Sequence, residues 1–227
     1  MTVGLILSMS YLLIGRRYHE YNGVVILVLI VVHNVLNRKW YKALFRGPYS
    51  APRILQTAVN ILMLLAILGS LVSGIILSQE VFAIVSLTGL TAFARTCHLL
   101  AAYWGFALIS MHVGLHWGLI LGMIKKGTGL KKIPSAAVWG LRLLGLMSVL
   151  LGARAFLKYN LWGYMSRQIQ FVFFDLEQPL FAFFCNYFFM LTMWAWIASY
   201  LKKLSENFTR KEDRKSKLKI IFESFLG

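Results

Sequence analysis

The chain has 227 residues, of which 59% are hydrophobic and only 14% are charged, and its mean hydropathy is +0.67. This balance lies well outside that of soluble domains and indicates an integral membrane protein. The basic residues, which give a net charge of +16, cluster at the ends of apolar blocks, so they indicate topology and argue against nucleic-acid binding.

Six apolar blocks follow one another along the chain, and about 20 apolar residues are needed to cross a membrane as a helix. The blocks lie at about 2–18, 22–45, 54–78, 93–124, 136–157 and 180–201. The first is doubtful, because its uncharged part from Thr2 to Gly15 covers only about 21 Å as a helix. The sequence predicts an all-α integral membrane protein with about six transmembrane helices, in one domain over residues 1–201.

The two cysteines, Cys97 and Cys185, each lie in an apolar run and form no CxxC or CxxCH pattern. A disulfide framework, a zinc or iron–sulfur site and covalent haem attachment are therefore not expected.

Basic residues predict the orientation of the chain. Residues 37–53 hold five of them, residues 125–132 hold four and residues 202–219 hold eight. By the positive-inside rule these three segments should be cytoplasmic, and residues 202–227 should form a basic cytoplasmic tail. If all six blocks cross, both termini lie inside. A solvated tail is the simplest interpretation, and binding to anionic lipid or to a partner is the alternative.

Four of the five histidines fall into two pairs with the same spacing. His33 lies fourteen residues after His19, and His112 lies fourteen residues after His98. Fourteen helical residues return to within about 40° of the starting direction and climb about 21 Å. Each of the two helices should therefore carry one histidine near each side of the membrane, on nearly the same face.

Blocks two and four are separated by a single block, so they should run parallel. This places His19 level with His98 near the outer surface, and His33 level with His112 toward the cytoplasm. Two such pairs are what two b-type haems require, since each iron takes one imidazole from each side. An ionisable residue at membrane depth also needs a partner. These four histidines are therefore the predicted metal ligands of two noncovalently bound haems in a four-helix bundle.

Four other residues are candidate haem contacts. Gly105 lies midway between the two histidines of block four, where it would admit a macrocycle, although ordinary helix packing explains it equally well. Arg16, Arg17 and Arg95 precede the outer histidines, on the side where the positive-inside rule disfavours them. Pairing with haem propionates would explain their position.

The fifth histidine, His116, lies one turn beyond His112 and nearly on the helix face of His98. Three roles are open for it. It is an alternative inner ligand in place of His112, a hydrogen-bond partner of a propionate, or a proton donor at a quinone site.

Three stretches carry a resemblance to a known family. They are "HEYNGVVILVLIVVHNVLNRKWYKAL", "LVSGIILS" and "RTCHLLAAYWGFALISMHVGLHW". Over about residues 10–120 they resemble a prokaryotic family of membrane proteins that carries a domain of unknown function and is grouped with the two-haem membrane cytochromes b. The resemblance implies that the first histidines of the two helices share one haem and the second histidines the other, in a prokaryotic inner membrane.

The leading functional hypothesis is electron transfer through two stacked haems, between a redox partner protein and quinone or another subunit. A membrane subunit of a metal or small-molecule reductase is an alternative. It would need another subunit to oxidise a nucleotide, because no G-x-G-x-x-G motif is present. A proton or metal transporter would need more intramembrane acids than Glu20, and a structural or assembly protein is the remaining alternative. An electron-transfer subunit is favoured over a self-contained oxidoreductase.

Overall fold

The computed structural model describes residues 1–85, 88–129, 135–172, 175 and 177–226. Within these residues the chain is all-helical and has no β-strand, as its apolar blocks predict. The described part contains ten α-helices. They are α1 (Thr2–Met9), α2 (Tyr11–Ile14), α3 (Arg16–Leu36), α4 (Arg38–Ala43), α5 (Ala51–Leu77), α6 (Thr91–Leu115), α7 (Trp117–Thr128), α8 (Ser135–Lys158), α9 (Leu161–Met165) and α10 (Leu180–Leu226).

Among the described residues, five helical stretches are long and apolar enough to cross a membrane, so the chain is a multi-pass membrane protein. They are Arg16–Leu36, Ala51–Leu77, Thr91–Leu115, Val138–Lys158 and Leu180–Ser216. With five crossings, the start of α3 and the end of the α10 span lie on opposite sides of the membrane.

The first apolar block does not form a sixth span. Its helix is interrupted at the buried Ser10, whose hydroxyl donates to the Leu7 carbonyl oxygen (2.8 Å), and it ends at Gly15, where φ is +85°. Neither α1 nor α2 is long enough to span. Instead, α1 packs back on α3, where the Asn22 side-chain amide donates to the Gly4 carbonyl (2.8 Å) and to the Ser8 hydroxyl (2.7 Å).

Three other helix boundaries differ from the apolar blocks. Helix α3 begins at Arg16, earlier than block two, and so includes His19 within regular helix. Block four is divided at His116 (φ −96°, ψ 6°), which separates α6 from α7. Helix α10 continues without interruption past residue 201 to Leu226.

Helix α6 is the centre of the core. It packs extensively on α5 and on α10, and α10 in turn packs on α8. Glycines permit this close approach, because a Cβ on Gly114 of α6 would overlap the Ala195 carbonyl of α10, and one on Gly152 of α8 would overlap the Phe189 carbonyl. The main core cluster is built from α6, α8, α9 and α10 with Met9 of α1, and α5 joins α6 and α10 in a second, smaller cluster.

Helix α3 lies at the edge of this core. It buries only Ile30, whereas α6 buries nine residues. Its packing is against α1 and α2, with a small contact to α5, and its described residues make no extensive backbone contact with α6. Nevertheless, the histidines of α3 face those of α6.

Candidate functional site

Two pairs of histidines face each other, each with one member on α3 and one on α6. In the first pair, the ring centres of His19 and His98 lie 6.0 Å apart, with an interplanar angle of 72°. In the second pair, the ring centres of His33 and His112 lie 6.4 Å apart, with an angle of 78°. The structure thus brings together the histidines that their sequence spacing places at the same level.

The separation within each pair fits one metal ion between two imidazoles. A coordinating imidazole nitrogen lies about 2 Å from a transition-metal ion, so rings on opposite sides of one ion have centres about 6 Å apart. His112 and His116 are closer, with ring centres 4.6 Å apart, and are too near for this arrangement. The two pairs between α3 and α6 are therefore the candidate metal sites.

The ring of His98 is oriented by α5. Its Nδ1 lies 3.0 Å from the Ser70 carbonyl oxygen and 3.1 Å from the Ser73 hydroxyl oxygen. Because the Ser73 hydroxyl donates to the Gly69 carbonyl (2.6 Å), the His98 Nδ1–H is the donor in these contacts. This tautomer leaves Nε2 unprotonated, so Nε2 is the nitrogen available to a metal.

Helix α5 also orients His112. Its Nδ1 lies 2.8 Å from the Asn60 side-chain carbonyl oxygen, which accepts the Nδ1–H. Asn60 is buried in a largely apolar helix, where an amide needs a partner. As at His98, the hydrogen bond assigns the neutral tautomer that leaves Nε2 free for a metal.

Among the described residues, α5 gives the two histidines on α3 no comparable support. The Nδ1 atom of His19 is buried and has no hydrogen-bond partner, although the Tyr11 ring contacts the imidazole edge-on at 5.1 Å between centres. The His33 side chain is exposed. Each pair therefore joins one oriented imidazole on α6 to one less constrained imidazole on α3.

His116 lies outside both pairs. Its Nε2 is 3.2 Å from the side-chain nitrogen of Gln56, so this ring nitrogen accepts a hydrogen bond from the Gln56 amide. Burial lowers the pKa of His116, and the nearby positive charge of Lys202, followed by His33, acts in the same direction. His116 is thus a neutral imidazole beside the second pair, with its Nε2 already engaged.

The three arginines lie near the start of α3 and of α6, and each has a partner in the protein. Arg16 donates to the Gln79 side chain, and Arg17 forms an exposed ion pair with Glu80 (3.6 Å). The Arg95 guanidinium lies 6.0 Å from the centre of the Phe171 ring. Their predicted role as propionate partners stays a prediction.

Gly105 faces α5. A Cβ at this position would lie 3.7 Å from the Ala66 Cβ, which is an ordinary van der Waals distance. Helix packing therefore does not require a glycine here, in contrast to Gly114.

Several polar contacts of the site were not predicted from the sequence. Gln56 and Asn60 orient histidines from α5, and Glu20 binds the loop that follows α5. The available signal was the presence of amide side chains in an apolar block, because polar residues at membrane depth mark functional or packing contacts. Ser73, which bonds His98, is a small polar residue in the same block.

The described residues contain no group of three or more His, Cys, Asp or Glu side chains arranged to hold a metal ion. No family model matches the chain, and comparisons with curated proteins and with solved structures also found no match. The geometry of the two pairs is thus the basis for any functional proposal.

Proposed function

We propose that the chain is a dihaem b-type membrane cytochrome that carries electrons across the membrane. The observation that carries this proposal is the presence of two histidine pairs with ring centres 6.0 and 6.4 Å apart. Two imidazoles are too few for a structural zinc site but are the axial ligand set of a bis-histidine haem. His19 and His98 would hold one haem, and His33 and His112 the other, within a helical bundle.

The chain's own groups fit this role. Bound haem iron supplies reversible one-electron chemistry, while the protein supplies axial nitrogens, burial and nearby charge. The hydrogen bonds from His98 to the Ser70 carbonyl and from His112 to Asn60 increase the basicity of Nε2. Neither cysteine lies in a CxxCH motif, which favours noncovalent binding.

The two histidine pairs have different surroundings, and these suggest a different electron-transfer partner at each pair. We propose a redox partner protein at the first pair and a quinone at the second, because neutral His116 and Gln56 lie beside the second pair and offer a hydrogen-bonding surface. The chain would act as an electron-transfer subunit, and a membrane subunit of a reductase is the alternative within redox chemistry. A transporter is less supported, since the carboxylate of Glu20 is bound by loop amides.

The test is a haem count on the full-length chain, purified after haem-replete expression. We expect two haems per chain, a dithionite-reduced minus oxidised spectrum of b-type, and a pigment that acid–acetone extracts. A colourless preparation, or a pigment that remains covalently attached, contradicts the proposal.

We propose that the chain lies in a prokaryotic inner membrane with the C-terminal end of α10 in the cytoplasm, as the distribution of Lys and Arg favours. Lys125 and Lys126 lie in the last turn of α7 on the proposed cytoplasmic side, whereas Lys131 and Lys132 lie outside the described residues. A cysteine placed at the exposed Gly127 should be protected from an impermeant reagent in intact cells. Labelling from outside would reverse the proposed orientation of the two pairs.

A further inference from the structure

Glu20, the residue that follows His19, binds one loop through four hydrogen bonds. The Ser78 hydroxyl donates to its carboxylate at 2.6 Å. The backbone N–H groups that also donate to it are those of Gln79 (3.1 Å), Glu80 (3.0 Å) and Val81 (3.0 Å). Glu20 therefore ties α3 to the segment immediately after α5.

This arrangement is an anion held by successive backbone amides, which is a strong and directional contact. The Ser78 oxygen also accepts the Phe82 N–H (2.8 Å), so the hydroxyl connects the carboxylate to the next turn of the loop. The loop is thus shaped around the Glu20 carboxylate.

Helix α3 has little else to fix its position relative to α5. The contact between the two helices is small, and the two other polar links to this loop are exposed: the Arg16–Gln79 hydrogen bond and the Arg17–Glu80 ion pair, in which the Arg17 side chain is 70% accessible. Exposed ion pairs contribute little to stability. The Glu20 contact is therefore the main polar restraint on the height and rotation of α3 at this end.

Contacts with α5, or with the residues directly after it, consequently position both histidines of the first pair. His98 bonds to Ser70 and Ser73 near the end of α5, and Glu20 bonds the residues that follow that helix. A displacement of α3 by one residue would move His19 by about 1.5 Å and turn it by about 100°. Such a change would remove His19 from its position opposite His98.

We propose that Glu20 is a positioning residue for the first pair, which holds His19 opposite His98 by anchoring α3 to the loop after α5. The inference rests on the proposed haem function and adds to it the residue that sets the geometry of one ligand. Glu20 does not itself contact the metal position in this role.

The experiment compares full-length variants by haem count and by electron paramagnetic resonance of the oxidised protein, since the ferric signal depends on the angle between the two imidazole planes. Glu20→Ala should retain one of two haems. Ser78→Ala should retain both and shift the signal of one, because three backbone donors remain. The control, Glu177→Ala, removes an exposed carboxylate from another loop but keeps its backbone N–H and should resemble the wild type.

The outcomes separate this inference from the proposed function. A wild-type chain without haem overturns both. A wild-type chain with two haems, together with Glu20→Ala and Ser78→Ala variants that have unchanged counts and signals, overturns only the role of Glu20. Equal loss of both haems in Glu20→Ala also overturns it, because the effect would then be on the whole fold. If Glu20→Ala does not fold, the signal of Ser78→Ala decides.

Discussion

The histidines on α6 and those on α3 are held in different ways. His98 and His112 lie on the central helix of the core, and each donates Nδ1–H to a group on α5. His19 and His33 lie on a peripheral helix, and among the described residues neither ring is hydrogen-bonded to α5. One half of each candidate site is therefore preorganised, while the other half depends on the position of α3.

This difference suggests an order of assembly for the proposed haem sites. Helices α5 and α6 pack extensively on each other, and this packing alone orients the imidazoles of His98 and His112, without a contribution from α3. Helix α3 buries one residue, so away from the Glu20 contact it can adjust its position at little cost in lost packing. Haem would then bind first to the α6 histidines and would order α3 on ligation.

The largest effect is expected from removing one proposed haem ligand on α6 or one on α3. His98→Ala should lose the haem of the first pair and His33→Ala that of the second, so each variant should fall from two haems to one. The measurement is a haem-to-protein ratio with a redox titration. If both variants keep two haems, the histidine pairs do not hold haem.

His112 and His116 are neighbours with different predicted roles. His112→Ala should reproduce the spectrum of His33→Ala, whereas His116→Ala should keep both haems, because its Nε2 is engaged by Gln56. We expect His116→Ala to slow quinone reduction. Since burial lowers its pKa below the usual value of about 6.5, His116 stays neutral and this deficit should not change above neutral pH. Loss of a haem in His116→Ala with retention in His112→Ala would reverse the assignment.

A smaller effect is expected at Asn60, the partner of His112 on α5. Asn60→Leu keeps the branched shape of the side chain but removes the acceptor, and loss of such a partner weakens metal binding by about tenfold or more. The measurement is haem retention by the second pair against a competing apo-protein. Asn186→Leu is the matched control, because the half-buried Asn186 amide donates to the Tyr159 hydroxyl and not to a histidine. Equal loss in the two variants would mean that the amide acts only on the fold.

The smallest effect is expected at Ser73. Ser73→Ala removes one contact of the His98 Nδ1–H, but the Ser70 carbonyl at 3.0 Å still accepts it. The potential of the first haem should shift less than that of the second haem in Asn60→Leu. A larger shift in Ser73→Ala would show that the hydroxyl, and not the carbonyl, orients His98.

The sequence predicted the helical fold well because long apolar blocks are a strong signal of membrane helices. The first block was expected to be doubtful from its length, and the structure breaks it at Ser10 and Gly15. Helix α3 begins at Arg16 because charged residues at a membrane surface can remain helical, so hydropathy alone placed its start too late.

The candidate site was predictable to the extent that it depends on helix periodicity. The fourteen-residue spacing of His19 and His33, matched on α6, indicated which rings would meet. The partners on α5 were not predictable, because Asn60 and Ser70 meet histidines only after two helices pack in a particular rotation. The Glu20 contact likewise depends on the conformation of a loop distant in sequence.

The two candidate sites are spaced by uninterrupted helix rather than by loops. Fourteen helical steps of α6 lead from His98 to His112, and fourteen steps of α3 lead from His19 to His33. A helix resists axial compression and stretching, so this spacing, about 21 Å along each axis, should be the same whether the connecting loops move or bind a partner. The rate of electron transfer between two cofactors at these sites would then be fixed by the helices. Regulation would act on the steps in which an electron enters the first cofactor or leaves the second.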